Sequence, residues 1–146
     1  MSKNLDNVTP KVEIVENGDR LIAHVYDLSQ AHPVFFPTPE HAEMQCGFGQ
    51  VSGFTEIPAH IHNPIERNIA STSEFILVLE GSMKVTFIDE QERSIKSFQL
   101  GELECFLQFS GGHQIEFAEG TRYIELKQGP YLGNSKDKTV ITNFVN

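Results

Sequence analysis

The residues with the most chemistry in this chain lie between Pro58 and Gly81, in PAHIHNPIERNIASTSEFILVLEG. His60 and His62 are two residues apart, so on an extended strand both imidazoles point to one side and Ile61 to the other. Glu74 follows and opens the most apolar run of the chain, Phe75 to Leu79, which Gly81 closes. A carboxylate at the mouth of a buried strand needs a partner, because an unpaired buried charge is very costly. Two imidazoles on a neighbouring strand, joined to it through a divalent metal, supply one. His113, behind the pair Gly111-Gly112, is the fourth candidate ligand. Three imidazoles and a carboxylate suit Fe, Zn, Mn, Ni or Cu. No thiolate joins the set, so a site with open positions for water and substrate is expected rather than a structural zinc.

In order and spacing these residues resemble the cupins. The first cupin motif runs glycine, five residues, H-x-H, three or four residues, Glu, six residues, Gly. Here six residues separate Gly53 from His60, Glu74 to Gly81 keeps its six spacers, and eleven residues separate His62 from Glu74. Glu66 stands at the standard distance from His62 but lacks the apolar run and the later glycine. The resemblance therefore carries the ligand role to Glu74 and makes the intervening residues a loop. The second motif, a glycine, a Pro-x-Gly turn and a histidine, corresponds to Gly101 through His113, one residue longer and without the proline. Together the motifs span Gly47 to Tyr131. They imply a jelly-roll β-barrel holding one divalent transition metal (Fe, Zn, Mn or Ni) on His60, His62, Glu74 and His113.

A second group of candidates lies late in the chain. Tyr123, Glu125 and Lys127 alternate on one strand, opposite the apolar Ile124 and Leu126. In an ordinary sandwich the apolar face turns inward, leaving the polar three in solvent. The cupins instead set this late strand beside the metal, which would make the three residues proton-transfer groups in the lumen. Both placements stand at this point. Gln128, next in the chain, and Arg67, in the loop between the ligand strands, are candidates for holding an anionic substrate. Glu66 and Arg67 read equally as a solvated ion pair. His24, His32 and His41 read as ordinary hydrogen-bonded histidines.

The elements that must position these groups are strands almost throughout. Val12–Val15 and Leu21–Tyr26 flank Glu16-Asn17-Gly18-Asp19, and Asn-Gly between two β-rich runs signals a hairpin. Pro33, Pro37 and Pro39 exclude a central strand over 31–40, and Phe35 and Phe36 there would cover an open end or a sheet edge. Further strands are expected over 44–51, 54–62, 74–79, 83–88, 94–100, 103–109, from His113 to Phe117, and over 122–128. Regularly spaced glycine turns and the absence of any helical period make the chain all-β, a sandwich or barrel. With the resemblance this becomes a cupin-type jelly roll with an N-terminal hairpin (1–30), a barrel (42–131) and a tail (132–146). The tail adds an edge strand through Val140–Val145 or packs on a neighbouring chain.

Composition sets the outer limits. A chain of 146 residues is large enough for its own hydrophobic core. A net charge of −9, with no lysine-arginine cluster, argues against nucleic acid and anionic membrane as partners. Cys46 and Cys105 sit in apolar contexts without metal-binding spacing, as reduced core thiols do. The first residues lack the apolar stretch of a signal peptide and no later run could span a bilayer, so a cytoplasmic location is the expectation. Phe75, Leu77 and Leu79 form a second apolar face on the strand that follows Glu74, and a homodimer would cover it. The functional expectation is a metal-dependent enzyme acting on a small polar, anionic or sugar-like molecule by isomerase- or epimerase-type chemistry. An Fe(II)-dependent dioxygenase and a non-catalytic binding or sensing protein are the alternatives.

Overall fold

The computed structural model describes residues 11–29, 36–142 and 144. Among these, eight strands and one short helix follow in order: β1 (Lys11–Asn17), β2 (Arg20–Asp27), β3 (Glu74–Glu80), β4 (Met83–Ile88), β5 (Ser94–Leu100), β6 (Glu104–Gln108), β7 (Gly112–Phe117), β8 (Arg122–Lys127) and α1 (Asn134–Asp137). The strands form two antiparallel sheets, one in the order β1-β2-β6-β3-β8 and the other β5-β4-β7. The chain is thus nearly all β, as alternation and turn chemistry predict. The expected hairpin is present, with Asn17 opposite Arg20 and Gly18 carrying the positive φ of the turn. It is built into the larger sheet, because β2 pairs along β6.

The inner faces of the sheets enclose the main core. Val15, Val25, Ile76, Val78, Val85, Phe87, Leu100 and Phe106 form one buried cluster, with Ile115 packed against it. Phe87 meets Phe106 edge to face at 5.4 Å between ring centroids, a geometry that adds to plain area burial. A second cluster covers the outer face of the five-stranded sheet. There Tyr26, Cys105, Leu107 and Phe109 gather Phe75 and Leu77 together with Ala42, Met44, Cys46 and Phe48. Both cysteines are free, and burial pushes the Cys46 thiol up to about 11 and the Cys105 thiol higher still.

This second cluster corrects two expectations. Residues 44–51 are not a strand: Phe48 makes a single bridge, and the segment instead lays side chains over the outer face of β3 and β6. The apolar outer face of β3 is therefore covered at Phe75 and Leu77 from within the chain, so that face supplies no argument for a dimer. Residues 54–62 are not a strand either. All of 49–70 is exposed, and no ladder from either sheet reaches it. Alternation of side chains makes a strand only where another strand accepts its backbone hydrogen bonds. The proposed tail strand over 140–145 falls partly outside the described residues; 140–142 are not in a strand, and α1 precedes them. Phe35 and His32 also lie outside the described residues. Phe36 lies with its ring against Gly47, where a side chain would collide with it.

Phe106 is fully buried at the centre of the inner core. Its replacement by alanine should cost about 3–5 kcal/mol of folding stability, the usual range for a buried aromatic. Urea denaturation followed by fluorescence or circular dichroism measures this. A loss under about 1 kcal/mol would contradict the packing described here.

Candidate functional site

Glu74 begins β3, and β3 is hydrogen-bonded on both edges. Its ladder with β6 sets Glu74 opposite Gln108 and Ile76 opposite Phe106. Its ladder with β8 sets Glu74 opposite Lys127, Ile76 opposite Glu125 and Val78 opposite Tyr123. Residues directly opposite on neighbouring strands point to the same side. Since Ile76, Val78 and Phe106 belong to the inner core, Tyr123, Glu125 and Lys127 share the inner face. Of the two placements the sequence left open, the inter-sheet one is realised. The three remain partly exposed, because β8 is the edge strand and makes no ladder with β7 of the facing sheet. At the turn between them Phe117 stacks on Tyr123 at 4.4 Å.

His113 comes to this group from the other sheet. It stands on β7 opposite Phe87, directly after the turn that Gly111 makes with φ of 73°. A Cβ at Gly111 would run into the Ile88 carbonyl oxygen, so glycine is required both by the backbone conformation and by the close approach. His113 Nδ1 lies 2.6 Å from Gln108 Oε1. Gln108 donates through its own nitrogen to the Ser110 carbonyl at 2.9 Å, which leaves its oxygen as the acceptor. Nδ1 therefore carries the proton in the neutral ring, and Nε2 has a free lone pair. Nε2 faces Glu74 Oε2 at 3.6 Å.

Burial and crowding set the charges. Burial pushes the Glu74 carboxyl up to about 7, and a hydrogen bond with Glu125 and that group's negative charge push the same way, against Lys127 and Lys138. Two carboxyls in contact cannot both ionise cheaply, so Glu74 keeps its proton to higher pH than a solvated carboxyl does. Burial lowers the affinity of His113 for a second proton, against the pull of Glu125. Lys127 Nζ stands 3.5 Å from Glu125 Oε1. At the rim the Ser73 backbone N–H donates to Gln128 Oε1 at 2.9 Å. Ser73 Oγ and Gln128 Nε2 are buried with no hydrogen-bond partner among the described residues.

His60 and His62 are not brought to this group within one chain. They lie in the exposed segment, their rings 5.1 Å apart, with His60 Nδ1 bonded to the Pro58 carbonyl. Glu66 and Arg67 are exposed in the same segment. Glu74 and His113 are spaced as two donors on one ion can be, but no cluster of three or more His, Cys, Asp or Glu suited to a metal occurs among the described residues. The four-ligand set does not fit a resident ion in the single chain. Elsewhere, His24 is buried and bonded to Tyr26 Oη at 2.9 Å, as an ordinary structural histidine is. His41 is exposed.

Sequence reading missed Gln108, Ser73 and Lys138. Gln108 had a signal, since it alternates in phase with Phe106 on β6. Ser73 and Lys138 had none. No family model matches the chain, and neither a curated protein nor a solved structure matches it. No helix among the described residues is long and apolar enough to cross a membrane.

The raised Glu74 carboxyl has a consequence for stability. Between about 4.5 and about 7 the folded chain holds a proton that the unfolded chain has released, so the stability contributed below that window is lost as pH rises through it. His113, with its lowered affinity, contributes a slope of opposite sign. Comparison with Glu74→Gln isolates the carboxyl, because the histidine is common to both proteins. Metal-free wild type should lose stability relative to Glu74→Gln as pH rises across this window, measured by denaturant midpoints. Parallel pH profiles would mean that Glu74 titrates normally.

Proposed function

We propose that this chain is a cupin-type enzyme that moves a proton on a small, polar, anionic molecule held against the accessible inner-face side chains of β8. The observation that carries the reading is the gathering of Glu74, Glu125, Lys127 and His113 at one open end of an otherwise apolar core. Glu74 and Glu125 set two carboxyl groups side by side, which is what abstraction of a proton next to a carbonyl and its return require. Neutral His113, oriented by Gln108, presents a second acceptor at Nε2. Lys127 draws in the negative group of the substrate. The jelly-roll class is supported by the two packed antiparallel sheets and by the order of the motif residues. The divalent metal of the cupin resemblance remains part of the proposal only if His60 and His62 reach Glu74 and His113.

Proton transfer of this kind leaves a trace that needs no knowledge of the product. A panel of anionic hydroxy-aldehydes and hydroxy-ketones in deuterated water should include one whose α-hydrogen exchanges under the enzyme, read by proton NMR. Glu125→Gln should slow that exchange by about 10²–10⁴-fold, the usual contribution of a positioned acid or base. Affinity for the ligand should hardly change, because the substitution keeps the volume. Tight binding with no exchange for wild type would favour a binding protein instead. Elemental analysis of protein purified without added metal completes the test.

A further inference from the structure

The chain beyond β8 is tied to the end of the sheet that carries the carboxyl groups. Gln128 Oε1 accepts from the backbone N–H of Ser73, the residue before β3. Lys127 Nζ stands 5.7 Å from the centroid of the Tyr131 ring. Gly133, with φ of 97°, starts a tight turn in which its carbonyl accepts from Lys136 N and Asp137 N at 3.0 Å each. The Asp137 carboxylate in turn accepts from Leu132 N, at 3.2 and 3.3 Å to its two oxygens. A backbone held at both ends of so short a turn has few ways to place the residue that follows it.

That residue is Lys138. Its positive charge acts on both Glu74 and His113, which come from different sheets and face each other at 3.6 Å. Between groups near a surface such an influence fades quickly with distance, so the Lys138 ammonium stands beside this group. Lys138 is exposed and makes no ion pair among the described residues. Lys127, by contrast, already has Glu125 at 3.5 Å. Burial disfavours the cationic form of His113. The two lysines therefore exceed the Glu125 charge by one unit, and an ionised Glu74 would remove even that surplus. A dianion here would leave excess negative charge next to two carboxyl groups, whereas a single negative charge is matched.

We infer that Lys138 and Lys127 together hold the anionic group of the ligand, with Lys138 as the residue that determines specificity, and that this group is a carboxylate rather than a phosphate ester. Lysine suits the task as a compact charge with three donors on a flexible stem. The ligand class so defined is a hydroxy or keto acid, with its carboxylate between the two ammonium groups and its neighbouring carbon toward Glu125. That this acid is a substrate rests on the proton-transfer reading above, whereas the anion site rests on the placement of the two lysines.

Glycerate and glycerol 3-phosphate, two small hydroxy compounds that differ in their anionic group, are suitable probes. Titrated into the full chain at neutral pH and followed by ligand-observed NMR, glycerate should bind saturably and more tightly than glycerol 3-phosphate. Lys138→Gln should weaken glycerate by roughly 10–100-fold, as loss of a hydrogen bond to a charged group does. Lys138→Arg should retain most of the binding, and Lys136→Gln, at an exposed position in α1, should leave it unchanged. Lys138 is exposed, so its variants keep the fold, which circular dichroism checks. Absence of saturable glycerate binding, or equal binding by wild type and Lys138→Gln, overturns the site; tighter binding of the phosphate ester overturns the carboxylate assignment. With a hydroxy acid that exchanges its α-hydrogen, Lys138→Gln should raise KM and leave kcat nearly unchanged. Exchange with an unaltered KM counts against Lys138 and leaves the proton-transfer reading standing. Glycerate binding that depends on Lys138, with no acid in the panel exchanging, upholds the anion site and removes that reading alone.

Discussion

Strand β3 is hydrogen-bonded along both edges, to β6 and to β8, and that double pairing fixes the rest. A one-residue slip in either ladder would turn a whole strand over and exchange its inner for its outer side chains. With the observed register, Gln108, Glu74 and Lys127 stand in one inward row, and Phe106, Ile76 and Glu125 in the next. The second row runs from apolar to charged within the width of three strands. It is apolar on β6 and β3 and charged on the edge strand β8.

That gradient explains how charged groups persist beside a hydrophobic core. The side chains of Glu125 and Lys127 are 35% and 38% exposed, whereas that of Glu74 is only 15% exposed. Charge on the edge strand keeps its hydration, and the desolvation cost concentrates on Glu74. The molecule meets that cost by protonation of Glu74 and by the nearby cations Lys127 and Lys138. His113 adds an acceptor without adding charge, because burial disfavours its cationic form. Gln108 determines which nitrogen is free.

The two faces of β3 serve different ends. Its inner face builds the cluster, while Phe75 and Leu77 on its outer face are covered by side chains from 42–48. Covering the outer face with chain from the same molecule uses up the segment that alternation marked as a strand. It also brings the next residues out at the surface, from which 49–70 leave the fold. The position of His60 and His62 is thus a consequence of how the outer face is closed.

The sequence by itself determined what depends on neighbours in the chain. Period-two alternation marked β4 and β5 at their observed limits, and glycine turns marked the hairpins, because side-chain direction and permitted φ are local properties. The phase of Glu74 with Ile76 and Val78 was equally legible, since it needs only one extended strand. Tertiary structure alone decided whether Tyr123, Glu125 and Lys127 turn inward, because the apolar phase of β8 points the other way and the ladder with β3 overrules it. It likewise decided that Gln108 orients His113, a contact between strands of different sheets. Residues 54–62 alternate as a strand does, but a strand also needs an edge to bond to. Whether an edge is there is a property of the assembled sheets, and no local pattern encodes it.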